Sequence, residues 1–97
     1  MFLHTFSASP DFSAALRHCL RFASKGDVLL FMDDSVTALI NTPENRARLK
    51  AMDLCACEHD LSRRGLDTGM LIPGVKTVGH DWPLDPVAKA ARIIHWG

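Results

Sequence analysis

The sequence predicts an α/β fold built on a small, mostly parallel sheet of four to five strands, and three observations carry that prediction. The first is the run Val28-Leu29-Leu30-Phe31-Met32, bounded by Gly26 and Asp27 on one side and by Asp33 and Asp34 on the other. It is too short for an ordinary helix and shows no alternation, so it reads as a strand buried on both faces. The second is a helical pattern before it, with apolar residues at 12, 15, 16, 19, 20 and 23. The third is a further set of helix signals after it. Strand and helix thus alternate, and a strand buried on both sides needs a helical layer on each face.

The elements follow in order. Phe2 to Phe6 is a short apolar-rich first strand. Ser9-Pro10-Asp11 starts a helix with a hydroxyl cap, proline at the first helical position and an acid in the first turn. That helix runs from Phe12 to Lys25, with Arg17, His18 and Arg21 away from the apolar stripe, and Gly26 stops it. After the organising strand, Ser35 to Ile40 reads as a helix. Thr42-Pro43 restarts it as far as about Met52. Asp53 to Glu58 is a third strand. Asp60 to Gly65 is one helical turn, capped by Asp60 and closed by the glycine. Pro73-Gly74 marks a turn, and Val75 to Val78 a fourth strand. Asp85-Pro86 caps a last helix through Ala88, Ala91 and Ile94 that ends at Trp96. No repeat, linker or low-complexity tract divides residues 1–97, so one domain is expected.

Composition excludes several classes. Eleven basic and eleven acidic side chains balance to zero net charge, and no like-charged block occurs. A chain that binds nucleic acid alone usually carries a basic patch, so direct nucleic-acid binding is not expected. No apolar run nears the roughly 18 residues of a membrane span. The start Met1-Phe2-Leu3-His4-Thr5 lacks the features of a signal peptide, and the three cysteines form an odd set that suits a reducing compartment. A cytoplasmic location is expected.

Four groups of residues are candidates for chemistry. Cys19 could act as a nucleophile or carry a persulfide, but it falls within the apolar stripe of the first helix, where a free thiol packs as a small hydrophobe. Cys55 and Cys57 share one face of a strand, yet no further Cys or His stands at a zinc-site spacing, so they read as core. The polar strand ends carry Asp33, Asp34, Glu58, His59, Asp60, His80 and Asp81. If these converge they could hold a divalent metal or do acid–base work; otherwise they are solvated loop ends and caps. Trp82 and Trp96 are the two tryptophans. A large aromatic so near the C-terminus is either an interface anchor or a staple onto the core. No glycine-rich phosphate loop follows any strand, and no cofactor is expected.

With these residues in view the chain resembles the TusB/DsrH family of sulfur-relay subunits, nearly end to end. Leu3-His4-Thr5 with Ser9-Pro10 is similar to the family's opening. Gly26-Asp27 with its strand, and Asp34-Ser35-Val36-Thr37-Ala38 after it, resemble the glycine-aspartate strand and the aspartate-glycine-valine turn. Asp60-Leu61-Ser62-Arg63-Arg64-Gly65-Leu66 resembles the most specific segment, and a terminal tryptophan is shared. The departures are Ser35 in place of glycine, Gly79-His80-Asp81-Trp82-Pro83 in place of an aspartate-tyrosine and a nearby phenylalanine, and Cys55 and Cys57 in place of larger strand residues. The resemblance implies a three-layer α/β/α fold of the DsrE/DsrF/DsrH type and a heterohexamer of two copies each of three related subunits. The partners it implies are TusC/TusD-like or DsrE/DsrF-like sister subunits, with TusA/DsrC-like sulfur carriers reached through the complex. It implies persulfide transfer toward 2-thiouridine at the tRNA wobble position or within dissimilatory sulfur oxidation. The main acceptor cysteine belongs to the TusD/DsrE sister, which makes this chain an accessory subunit. DsrH-like members carry a cysteine in the first helix, similar in place to Cys19. The alternative from the residues alone is a free-standing flavodoxin-like module that takes a metal or small ligand at its acidic strand ends.

Overall fold

A computed structural model describes residues 2–7, 12–50, 52–79 and 92–96, with residues 12 and 13 described by their backbone only. Five strands form one sheet: β1 (Phe2–Phe6), β2 (Val28–Phe31), β3 (Asp53–Cys57), β4 (Lys76–Val78) and β5 (Arg92–His95). Their order is β4-β3-β2-β1-β5, and every pairing is parallel. The unbroken apolar run thus lies at the centre of the sheet, with Leu29, Leu30 and Phe31 fully buried.

Among the described residues, three α-helices accompany the strands: α1 (Phe12–Phe22), α2 (Pro43–Arg48) and α3 (Glu58–Arg63). Alternation along the strands sorts side chains into two faces. Phe6, Leu29, Phe31, Leu54 and Ala56 form the larger cluster with Leu16 and Cys19 of α1 and Leu61 of α3. Leu3, Leu30 and Cys55 form a second cluster on the opposite face. Gly65 closes α3 as expected, with φ of +67°, where a Cβ would be strained; α1 ends at Phe22, short of the expected Lys25, and Gly26, with φ of +96°, serves the turn into β2 instead. Thr42 caps α2 as expected, accepting from the Asn45 N–H at 3.1 Å.

Three further expectations are corrected. Asp33–Leu39 is a 3-10 helix, not an α-helix from Ser35 to Ile40. It starts at Asp33 with φ of +51°, and its exit is drawn into extended pairing between Ile40 and Leu71. Asp60 is not a helix cap. Cys57 holds that position, and Asp60 is buried inside α3 because its carboxylate is used elsewhere. The last helix does not reach Ile94 or Trp96. Arg92–His95 is a strand along the outer edge of β1, which supplies hydrogen-bond partners that β1 otherwise lacks on that side. The start of that expected helix, with Asp85, Pro86, Ala88 and Ala91, lies outside the described residues, as does the Ser9-Pro10-Asp11 cap.

Candidate functional site

The strand ends singled out in the sequence do come together at β2 and β3, but as structural ties. The Asp33 N–H donates to Asp60 Oδ2 at 2.8 Å. Arg63 Nη1 lies 3.3 Å from Asp60 Oδ1 and 4.0 Å from Asp33 Oδ1, and Arg64 pairs with Asp34. Ser35 Oγ accepts from the Met32 N–H at 3.0 Å and lies 2.6 Å and 3.1 Å from the Met32 and Phe6 carbonyl oxygens. This hydroxyl therefore joins the ends of β1 and β2. His59 is exposed on α3, where it lines a shallow pocket of about 290 Å³ with Glu58, Ser62 and Gly79. His80, Asp81 and Trp82 lie outside the described residues. Among the described residues, no three His, Cys, Asp or Glu side chains are grouped as a metal ion requires.

The three thiols are held protonated. Cys19 is fully buried, and burial, reinforced by the Asp27 carboxylate, pushes its pKa up to about 12. Burial also raises Cys55, with Lys76 opposing and Asp53 adding to the shift. Cys57 is raised by burial and by the Asp60 side chain, against the lowering effect of the Asp60 and His59 backbone N–H groups.

A second constellation was missed in the sequence. His4 is fully buried at the centre of β1, and its Nε2 lies 3.0 Å from Asp27 Oδ2. Its other nitrogen, Nδ1, accepts from the Trp96 indole N–H at 2.9 Å. An indole nitrogen can only donate, so Nδ1 carries the lone pair and the ring proton sits on Nε2, facing the carboxylate. Asp27 also accepts from the Phe2 N–H at 3.0 Å and the Ser24 N–H at 3.1 Å. Burial pushes its carboxyl up. Hydrogen bonds from His4, Phe2 and Ser24 and the attraction of His4 outweigh that, so its pKa lies below the ordinary value. Phe2, Phe22 and Trp96 surround the imidazole with ring centroids about 6 Å away. One signal was available: a histidine within the apolar-rich segment Phe2 to Phe6 must find partners once that segment is buried.

The Asp27 side of this constellation lies at the amino ends of β1 and β2, and Trp96 reaches it from beyond the carboxyl end of β5. From β1 the chain steps through β2 and β3 to β4, whereas β5 lies on the other side of β1. The strand order reverses between β1 and β5, the kind of point where open α/β sheets bind ligands at the carboxyl ends. Thr5 Oγ1 and His95 Nδ1 are hydrogen-bonded across this junction on the opposite face, and the Trp96 N–H donates to the Thr5 carbonyl at 3.0 Å.

Comparison with known proteins is consistent with this architecture. The family model for DsrH-like proteins matches residues 8–89. Among solved structures, the ychN protein from E. coli superposes with a TM-score of 0.70 at 18% identity, over 97% of each chain. The protein of unknown function MTH1491 from Methanobacterium thermoautotrophicum gives 0.62 at 20% identity, over 79% of this chain and 78% of its own. At such identities the likeness is one of fold. Sequence comparison with curated proteins gives no match.

Proposed function

Since the chain belongs to the family of DsrH-like proteins, we propose that it is an accessory subunit of a sulfur-relay complex, a scaffold that carries no sulfur itself. Its partners are TusC/TusD-like or DsrE/DsrF-like sister subunits. The complex serves persulfide transfer toward wobble-uridine 2-thiolation or the related sulfur-oxidation pathway. The observation that carries the accessory role is Cys19. Transfer needs a thiolate within reach of a donor, and this thiol is fully buried with its pKa near 12. Asp27, the charge that acts on it, has the wrong sign to stabilise a thiolate. The competing reading, a metal or ligand module at the strand ends, is disfavoured because Asp33, Asp34 and Asp60 are already engaged by arginines and a backbone N–H. Trp96, half-exposed beside the exposed Phe22, and Trp82 are the residues this proposal places at the subunit interface.

The test is persulfide labelling of the assembled complex followed by mass spectrometry, with Cys19→Ser alongside. Cys19 should alkylate slowly in the native state and stay unlabelled, and the serine variant should retain sulfur transfer. Stoichiometric persulfide on Cys19 together with lost transfer in the variant would make it a relay residue.

A further inference from the structure

We propose that Trp96, His4 and Asp27 form a proton-operated latch on the C-terminal strand. In this latch, protonation of His4 expels the Trp96 indole N–H while Asp27 keeps the imidazole in place. His4 has one partner on each ring nitrogen, and the Trp96 bond fixes the neutral Nε2–H tautomer. A second proton can only go to Nδ1, the nitrogen already facing an N–H. Two donors then meet where one acceptor stood, and the bond to Trp96 is lost. The other side of the ring responds in the opposite sense. The Nε2–H to Asp27 bond becomes an imidazolium–carboxylate pair, shorter and stronger than the neutral one. Asp27 remains ionised below the ordinary carboxylate range, because its three hydrogen bonds and the attraction of His4 outweigh its burial. With His4 protonated and Asp27 ionised, the latch is open and the histidine stays anchored.

The groups around His4 make it the site of the switch. Asp27 faces it from the start of β2, and the ring of Phe22 from α1. Cys19, also on α1, is near enough to Asp27 to feel its charge and is protonated throughout this range. Trp96 comes from the end of β5, and Phe2 from β1 itself. Arg92, exposed, is the register partner of Phe2 on the same face, whereas His95 lies on the opposite face, bonded to Thr5.

What the latch holds is an edge. In the sheet order β5 has β1 as its neighbour and ends the sheet. The Trp96 ring packs on the main core and edge-on against Phe22. Release of the indole loosens the end of one edge strand and leaves the central strands intact, so the response is local rather than global unfolding.

The three residues belong to one chain, so the device is tested on the full chain alone, diluted below the concentration at which it self-associates, and independently of the sulfur-relay proposal. Nitrogen-15 NMR follows the imidazole and indole signals of the full chain from neutral to acid pH, with Trp82→Phe telling the two tryptophans apart. Above its transition His4 should show the Nε2–H tautomer. As it titrates, the Trp96 indole N–H should exchange roughly tenfold faster with the same midpoint, the order expected for loss of one hydrogen bond, while far-UV circular dichroism stays constant. Trp96→Phe keeps a ring but no N–H, and should raise the His4 midpoint because Nδ1 no longer has to accept. A purely structural role for Trp96 predicts no such shift. The proposal is overturned by an Nδ1–H tautomer, by an indole that stays protected through the His4 transition, by an unmoved midpoint in Trp96→Phe, or by a ring that remains neutral until the fold melts.

Discussion

At the scale of single residues, the Asp27 side chain ties three parts of the chain together. It accepts from the first strand's Phe2 N–H, from the Ser24 N–H after α1, and from His4. Its carboxyl titrates below the ordinary range, so it contributes stability that is fully present above the unfolded value and is lost as pH falls through the folded one. Asp27→Asn keeps the shape, replaces one acceptor by an NH₂ group and removes the charge. Hydrogen bonds to charged groups contribute about 1.5–3 kcal/mol each, and the variant should lose roughly one such bond. Urea midpoints measured from neutral to acid pH should show a less stable variant whose stability falls less steeply in acid. A variant with the wild-type acid slope would mean that Asp27 is not the group being titrated.

At the scale of elements, one buried carboxylate, Asp60, ties α3 to the start of the 3-10 helix Asp33–Leu39. Asp60 takes the Asp33 N–H and meets Arg63, whose side chain is half-exposed at 51%. Solvent screens the second interaction, which is worth about 0–1 kcal/mol. Leaving the Asp33 N–H without its partner costs about 1–3 kcal/mol. Asp60→Ala should therefore lower the urea midpoint clearly more than Arg63→Ala does. Equal losses would assign the join to the ion pair instead of the backbone bond.

At the scale of the whole molecule, the chain presents an edge strand, a half-buried Trp96 and an exposed Phe22 near the point where strand order reverses. Zero net charge does nothing to keep copies apart. No helix among the described residues is long and apolar enough to cross a membrane. Expressed alone, the chain should self-associate. Co-expressed with its sister subunits, it should enter a complex of defined native mass. A monodisperse monomer that ignores those partners at high concentration would count against the subunit role.

The sequence by itself determined the α/β class, the burial of Leu29, Leu30 and Phe31 on both faces, the start and apolar face of α1, and the Thr42 cap of α2. Those signals are short-range: a period, a cap or a turn acts within a few residues and needs no knowledge of the rest of the chain. The candidate acids were legible as residues but not as a site, because their partners are set by how α3 packs against β3 and the 3-10 helix Asp33–Leu39. Ile93-Ile94 could extend a helical stripe or pair as a strand, and the open edge of β1 decided for the strand. His4 and Trp96 are 92 positions apart, and their bond exists only because β1 and β5 lie side by side. A contact of that separation has no local signature. Tertiary structure alone could decide it, since the gain from satisfying a buried histidine is realised only once the sheet has closed around it.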